Sequence, residues 1–443
     1  MEHFIIEGGV PLRGSVRPGG NKNAILKMLP ACMLTDEPVI LRNVPDILDV
    51  RVTLEIMRRL GIDIEWLDTT TLRVHAADIK SQTLDPALAQ RIRTSFVFAG
   101  PMLARTGAIT VPMPGGDVIG ERRLDTHVSA LRKLGASVHY ERGVFSMSAD
   151  KLTGAVILLS EASVTATENA ILTAVTAHGV SEISNAASEP HVQNLCHMLV
   201  AMGARIDGIG SNRLTIHGVE RLHGCDVRVG ADYMEVGSWI GASVLTGGSI
   251  RIVDADPDVL SMVELVFSRL GVHWTVDGED IVVPESQNLT ITPDLGGRIP
   301  IIKAQPWPAF PADLMSIALV VATQSRGAVM FHDWMFESRL FFTDKLVQMG
   351  ARITLCDPHR VLVQGPTALS AVPIVTSPDI RAGMAILLAA LAAPGTTRIA
   401  NVRQIDRGYE RVEQKLRELG ARIERVNEGP QDTREMPVFS VEH

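Results

Sequence analysis

Lys22, Arg93 and Arg381 each open a strongly apolar stretch of helical character: KNAILKMLPACML, RTSFVFAGPMLAR and RAGMAILLAALAAPG. A helix N-terminus already carries unpaired N–H groups and the positive end of the helix dipole. A cation there is unfavourable unless an anion sits in front of it, so these three positions predict an anionic guest. Three more apolar stretches begin at Thr167–Asn169, Glu235 and Asp313, where ordinary capping accounts for the residue types equally well. Loops ahead of the amphipathic helices add Asp117 and Arg122, Glu337 and Arg339, and Asp406, Arg407 and Glu410, with Glu189 and Asp256 at equivalent places. A lone arginine is usually solvated. Several cations at equivalent loop and helix-end positions of an acidic chain predict a substrate with more than one negative charge.

The elements that must position these residues are repeated. A helix closing on a hydrophobe and a glycine, followed by a short strand, recurs as MRRLGIDIEW, LRKLGASVHY, LVAMGARIDG, FSRLGVHWTV, LVQMGARITL and LRELGARIER. The glycines are Gly61, Gly135, Gly203, Gly271, Gly350 and Gly420, about seventy residues apart. Between them lie the apolar stretches Asn23–Thr35, Arg93–Gly107, Thr167–Gly179, Glu235–Gly248, Asp313–Gly327 and Arg381–Gly395. These are apolar nearly all round, which predicts helices buried on every side. The Leu124–Leu134 segment, apolar at Leu124, Val128, Leu131 and Leu134, reads instead as an amphipathic outer helix. Each unit then holds one buried helix, one outer helix and three to four strands. Three units close around their buried helices into one domain, and six give two.

Length and composition agree with that division. The chain has 443 residues, 46% hydrophobic and 21% charged, with a formal net charge of −8. That size suits two domains of about 220 residues. The acidic balance argues against nucleic acid or an anionic membrane as partner, while leaving room for a cationic pocket. Cys32, Cys196, Cys225 and Cys356 are scattered without a C-x-x-C pair, so neither zinc nor disulfides are expected. MEHFIIEGGV lacks the layout of a secretory signal, and AGMAILLAALAAPG stops short of the roughly 20 residues that span a bilayer; a cytoplasmic location is expected. His127, His191 and His197 show no metal spacing, and the GGSIRI and PGTTRI turns lack the G-K-[ST] of a phosphate loop. Trp307 is expected to pack a turn. HFIIEGG lies outside the first unit and is expected to pair with the end of the chain. That places residues 1–21 with 231–443 in one domain and 22–230 in the other, with two crossings, a cleft between, and a tail after Arg425 that is loosely held.

Taken in combination, GGNKNAILKMLPACML, PMPGGDVIGERRLDTH, the SEP at Ser188–Pro190, WPAFPADLMSIALV, MFESR and IDRGYERVEQKLRELGARIERV resemble the UDP-N-acetylglucosamine enolpyruvyl transferases. The resemblance runs from about Phe4 to Val426. The lysine motif and LGNAGT-like motif usual in the related enolpyruvylshikimate-phosphate synthases are absent. The resemblance implies an α/β fold, a two-domain inside-out barrel of six repeats with its site in the interdomain cleft. It also implies transfer of the enolpyruvyl group of phosphoenolpyruvate to the 3′-hydroxyl of UDP-N-acetylglucosamine by addition then elimination, releasing phosphate. That reaction is the first committed step of peptidoglycan synthesis, and it needs no cofactor or metal.

Roles follow position by position from the same resemblance. Lys22, Arg122 and Arg407 match the phosphate clamp, with Asn23 beside them and Arg339 and Arg381 near the carboxylate of phosphoenolpyruvate. Asp313 matches the base for the sugar hydroxyl. Asp117 matches the acid that protonates the methylene carbon, at a position where many members have cysteine, in a loop that Gly115, Gly116 and Gly120 would let close as a lid. The sugar nucleotide would meet Asn23, Arg93, Arg122, Arg123, Leu124, Asp125, Thr126, Ser163, Val164, Glu189, Asp313 and Met335. Two family lysines are replaced here, by Glu161 and Leu48, so the nucleotide half of the site departs from the pattern. A divergent transferase acting on another nucleotide or sugar, and a catalytically silent sensor of sugar nucleotides, are the alternative readings.

Overall fold

The structure, a computed structural model, describes residues 2–116, 119–376 and 379–427. Asp117, assigned above as the acid, and the chain after Asn427 lie outside the described residues.

Six helices form the interior: Lys22–Ala31, Ala99–Thr106, Val164–Ala174, Tyr233–Leu245, Met315–Gln324 and Ile380–Ala392. Every residue of Tyr233–Leu245 is buried, as are Met315–Thr323 and Ile380–Leu391. Their lack of a polar stripe is therefore the mark of burial on all sides. Around them stand five four-stranded sheets and one three-stranded sheet among the described residues. Six outer helices complete the units: Leu48–Arg59, Asp125–Lys133, Pro190–Ala201, Ser261–Arg269, Thr343–Gln348 and Val412–Glu418.

The repeated glycine has a single cause. Each of the six follows an outer helix with φ between +86° at Gly271 and +103° at Gly203, a region that costs any other residue a steric clash. In every unit the residue after the glycine (Ile62, Ala136, Ala204, Val272, Ala351 or Ala421) donates its N–H to a carbonyl five positions back, as Ile62 does to Met57 and Ala421 to Leu416. This is the 6→1 bond of the Schellman motif. It stops the helix and launches the following chain toward its sheet, so the phrase read in the sequence is a helix-stop signal used six times.

The third inner helix begins at Val164, one turn earlier than the sequence suggested. The Ser163 hydroxyl accepts from Ala166 N–H as its cap. Thr167 and Asn169 are consequently fully buried, with Asn169 bonded to Gly100 N–H and Phe96 O; they bind inner helices together. The second inner helix is also broken. Arg93–Phe98 is 3₁₀ and the α-helix starts at Ala99, because Pro101 has no N–H to offer the carbonyl of Val97.

Strand pairing ties distant parts of the chain together. Glu2–Gly8 lies antiparallel between Gly395–Ala400 and Arg422–Asn427. Arg13–Val16 runs parallel to Ser249–Ile252, and Asp226–Arg228 parallel to Val39–Arg42. Buried apolar residues fall into two clusters, one from Phe4 to Val16 and Tyr233 to Ile423, the other from Ala24 to Val229. The chain passes between them twice, side by side: Asn21 N–H donates to Gly230 O at 2.8 Å, and Asp232 N–H to Gly19 O at 2.9 Å. Gly20 is required there, since a Cβ would lie 1.9 Å from the Asn43 carbonyl oxygen. No helix among the described residues is long and apolar enough to cross a membrane.

Candidate active site

Where the two clusters face each other a cavity of about 620 Å³ opens. Lys22, Asn23, Arg93, Arg122, Arg123, Ser163, Val164, Glu189, Asp313, Met335, Arg339, Arg381 and Arg407 all line it. Residues drawn from both cores and from five of the six units are thereby brought to one chamber, within the size range of small-molecule sites.

Its cations are organised around two carboxylates. Asp49 takes Lys22 Nζ at 2.9 Å and Arg407 Nε at 2.9 Å, with a second Arg407 nitrogen at 3.3 Å. Asp313 takes Arg339 at 3.1 Å and Arg381 Nε at 3.2 Å. Burial alone would raise the carboxyl of Asp49; the charges of Lys22 and Arg407 outweigh it and hold the group below the usual carboxylate range. Asp313 is treated the same way, with burial opposed and overcome by Arg381, Arg339 and Lys22, so it stays ionised well below its ordinary range. The expectation that the helix-end cations await an external anion is thus modified: Lys22 and Arg381 already have internal carboxylate partners.

Supporting contacts fix the arginines. Asp379 caps Ile380–Ala392 through Arg381 and Ala382 N–H at 2.8 and 2.9 Å. Arg381 also donates to Tyr409 Oη at 3.2 Å and lies over its ring. Arg339 lies over Phe336 at 4.6 Å and approaches buried Asp333 at 3.5 Å. Arg93 donates to the Arg122 and Arg123 carbonyl oxygens, pinning the segment after the glycine loop, and burial followed by the charge of Arg122 lowers its pKa to about 10. The loop itself reaches the opposite wall: Ser338 N–H donates to Ile119 O at 3.3 Å.

Three residues expected to meet the nucleotide do not line the cavity. Leu124 is packed in the core, Asp125 is exposed at the start of Asp125–Lys133, and Thr126 is buried with its hydroxyl 2.8 Å from Ser160 Oγ. The cause is local: the outer helix begins at Asp125, and its rotation carries these side chains away from the chamber. Glu161 does line it, 3.4 Å from Thr126 Oγ1. Lys27, also in the lining, makes a fully buried pair with Glu168 at 3.3 Å and donates to Asn23 O at 2.8 Å. Burial pushes Glu168 up to about 8 against the pull of Lys27. Trp307 lines the chamber with its ring edge toward Tyr233.

Asp49, Asp379, Tyr409 and Lys27 were missed in the sequence. For Asp49 a positional signal existed: NVPDILDV leads into the first turn of the first outer helix, close to the place that supplies Arg122, Arg339 and Arg407 in other units. Among the described residues no group of three or more His, Cys, Asp or Glu is arranged for a metal ion.

Inner helices ringed by small sheets, with a cationic chamber between two cores, make up the enolpyruvyl transferase architecture. The solved enolpyruvyl transferase NikO from Streptomyces tendae is similar with a TM-score of 0.84 at 26% identity, covering 96% of this chain and 98% of that one. The EPSP synthase of Acinetobacter baumannii shares the fold with a TM-score of 0.74 at 16% identity, over 96% of this chain and 100% of that one. The chain belongs to the family described as EPSP synthase (3-phosphoshikimate 1-carboxyvinyltransferase), whose profile matches residues 6–416. Within curated relatives it is 52% identical over 425 residues to the UDP-N-acetylglucosamine 1-carboxyvinyltransferase of Bradyrhizobium diazoefficiens, covering 96% of this chain and 98% of the relative. It is 50% identical over 424 residues to the enzyme of the same name from Treponema denticola, covering 96% and 99%.

Proposed function

We propose that this chain is a UDP-N-acetylglucosamine 1-carboxyvinyltransferase: it moves the enolpyruvyl group of phosphoenolpyruvate onto the 3′-hydroxyl of UDP-N-acetylglucosamine and releases phosphate. The observation that carries the reading is the pairing of four cations into two clusters, Lys22 with Arg407 and Arg339 with Arg381, in the lining of one cavity. Phosphoenolpyruvate has two anionic groups, a phosphate and a carboxylate, and the two clusters give each its own seat. The relatives at about half identity over nearly the whole chain carry this activity in their names.

In the proposed sequence the sugar 3′-oxygen bonds to C2 of phosphoenolpyruvate as its proton passes to Asp313. A proton from the Asp117 position goes to C3, making a methyl group. The tetrahedral adduct then returns a C3 proton to the carboxylate at the Asp117 position, the C2–C3 double bond re-forms, and the C2–O bond to phosphate breaks with its electron pair leaving on phosphate. As it stands Asp313 is a poor base, because two arginines hold it ionised at low pH. The substrate carboxylate, by engaging Arg339 and Arg381, takes over part of their charge, and the basicity of Asp313 rises when the substrate is in place. Arg122 and Asn23 complete the phosphate seat.

We further assign residues 1–21 with 231–443 to one domain and 22–230 to the other, supported by the separate cores and the paired crossing at Gly20 and Ala231. We also assign the enzyme to the cytoplasm, an assignment that rests on the proposed substrates. Incubation with phosphoenolpyruvate and UDP-N-acetylglucosamine, followed by phosphate release and product mass, tests the reading. Phosphate release coupled to an enolpyruvyl adduct of the nucleotide sugar is expected. Release only with a different acceptor would replace the substrate, and no release with any acceptor would refute the activity.

A further inference from the structure

Lys22 and Arg407 come from different cores and are held together by Asp49, which is 5% exposed. The carboxylate uses both oxygens: Oδ2 meets Lys22 Nζ, and Oδ1 meets Arg407 Nε. Arg407 is further held by Gln404 Oε1 at 3.1 Å. Asp49 sits in the first turn of Leu48–Arg59, where the helix dipole adds to its preference for charge. It also lines the cavity, so a phosphate seated on Lys22 and Arg407 would lie directly beside it.

We propose that Asp49 is a resident counter-ion that competes with phosphate for Lys22 and Arg407, and that its return to both cations drives phosphate out after turnover. The inference rests on the proposed function, specifically on phosphate binding at Lys22 and Arg407.

The charges make the competition unavoidable. Two cations facing one carboxylate leave a single net positive charge, enough to attract a phosphate dianion but not to hold it as tightly as two free cations would. A neighbouring carboxylate at contact distance, itself nearly buried, opposes the dianion strongly. The same carboxylate keeps the two cations from separating when the seat is without phosphate, since like charges so close would otherwise spread apart. Asp49 acts as a positioning residue and takes no part in bond making. Against the opposing effect of burial, Lys22 and Arg407 hold it below the usual carboxylate range, so the competitor is charged at neutral pH.

The test is the affinity of the full-length protein for inorganic phosphate, read by calorimetry and by product inhibition against phosphoenolpyruvate. Asp49→Asn keeps the shape and removes the charge. The expected result is phosphate binding tightened by about tenfold or more, a lower kcat because phosphate leaves more slowly, and recovery toward the original values in Asp49→Glu. A purely structural role for Asp49 predicts the opposite sign, since disordering Lys22 and Arg407 weakens phosphate binding. Unchanged or weaker binding in a folded Asp49→Asn protein overturns the inference while leaving the proposed activity intact. Absence of phosphate binding to either form would sink the assignment of phosphate to Lys22 and Arg407, and the inference with it.

Discussion

By the resemblance, Asp117 stands at a position where many members of that family have cysteine, and an aspartate there would change what the position can attack. A thiolate is a soft nucleophile that opens the fosfomycin epoxide; a carboxylate is a much poorer one. The unmodified enzyme is expected to keep its activity in fosfomycin, and Asp117→Cys to be inactivated with covalent mass added at residue 117. Mass addition at Asp117 of the unmodified protein would refute this. His127 gives a second prediction. It is buried beneath Arg93, with Nε2 3.0 Å from Thr165 Oγ1 and Nδ1 3.3 Å from Asn169 Nδ2. Burial, then the charge of Arg93, lowers its pKa from 6.5 to about 3. Between those values the unfolded chain binds a proton that the folded chain refuses. The stability contributed by neutral His127 is therefore complete above pH 6.5 and falls as pH drops toward 3, by about 2 kcal/mol at pH 5. Urea midpoints at pH 7.5 and 5 should converge in His127→Gln relative to the unmodified protein; an equal pH dependence in both would show that His127 is not the group responsible.

The six helix stops differ in how tightly their surroundings enclose them, and that ranks their substitutions. An added Cβ at Gly420 meets nothing within 4 Å, whereas at Gly271 it would lie 2.3 Å from the Asn288 carbonyl oxygen. Gly420→Ala should cost about 1 kcal/mol, the backbone term alone, and Gly271→Ala distinctly more, read as shifts in the urea midpoint at constant m. Equal costs would mean that the backbone term dominates both. Elements of this kind were legible because their cause is local: a left-handed residue needs glycine, and a helix buried on all sides needs apolar residues at every position. Caps were harder. Ser163 starts its helix a turn before the Thr167–Asn169 pair that drew attention, since several neighbouring residues can cap and only the fold chooses among them. Asp49 was harder still. Its partner Arg407 is 358 residues away, and nothing in the local pattern around NVPDILDV announces that pairing.

In the molecule as a whole, the two cores face each other across a chamber and are joined by a paired crossing, and the charged clusters are assembled at that meeting. Lys22 and Asp49 lie on helices Lys22–Ala31 and Leu48–Arg59, in the part of the chain that forms the core of residues 24–229, while Arg339, Arg381, Asp313 and Arg407 come from the part that forms the other. The helix Tyr233–Leu245 is capped by Asp232 Oδ1 toward Met234 N–H at 2.9 Å, while Oδ2 of the same carboxylate accepts Lys22 N–H at 3.1 Å. One side chain thus locks the first residues of inner helices from both cores. With Leu124, Asp125 and Thr126 out of the cavity, Arg93, Arg122, Arg123 and Glu161 line it, and under the proposed function acceptor choice is expected to be made there. The proposed reaction requires phosphoenolpyruvate to bridge the two carboxylate-centred clusters. A crystal structure of the full-length protein with phosphoenolpyruvate and UDP-N-acetylglucosamine locates it. The phosphate is expected within hydrogen-bond distance of Lys22 and Arg407, and the carboxylate on Arg339 and Arg381. Phosphoenolpyruvate bound away from both clusters, with Asp49 and Asp313 still holding their cations, would contradict it.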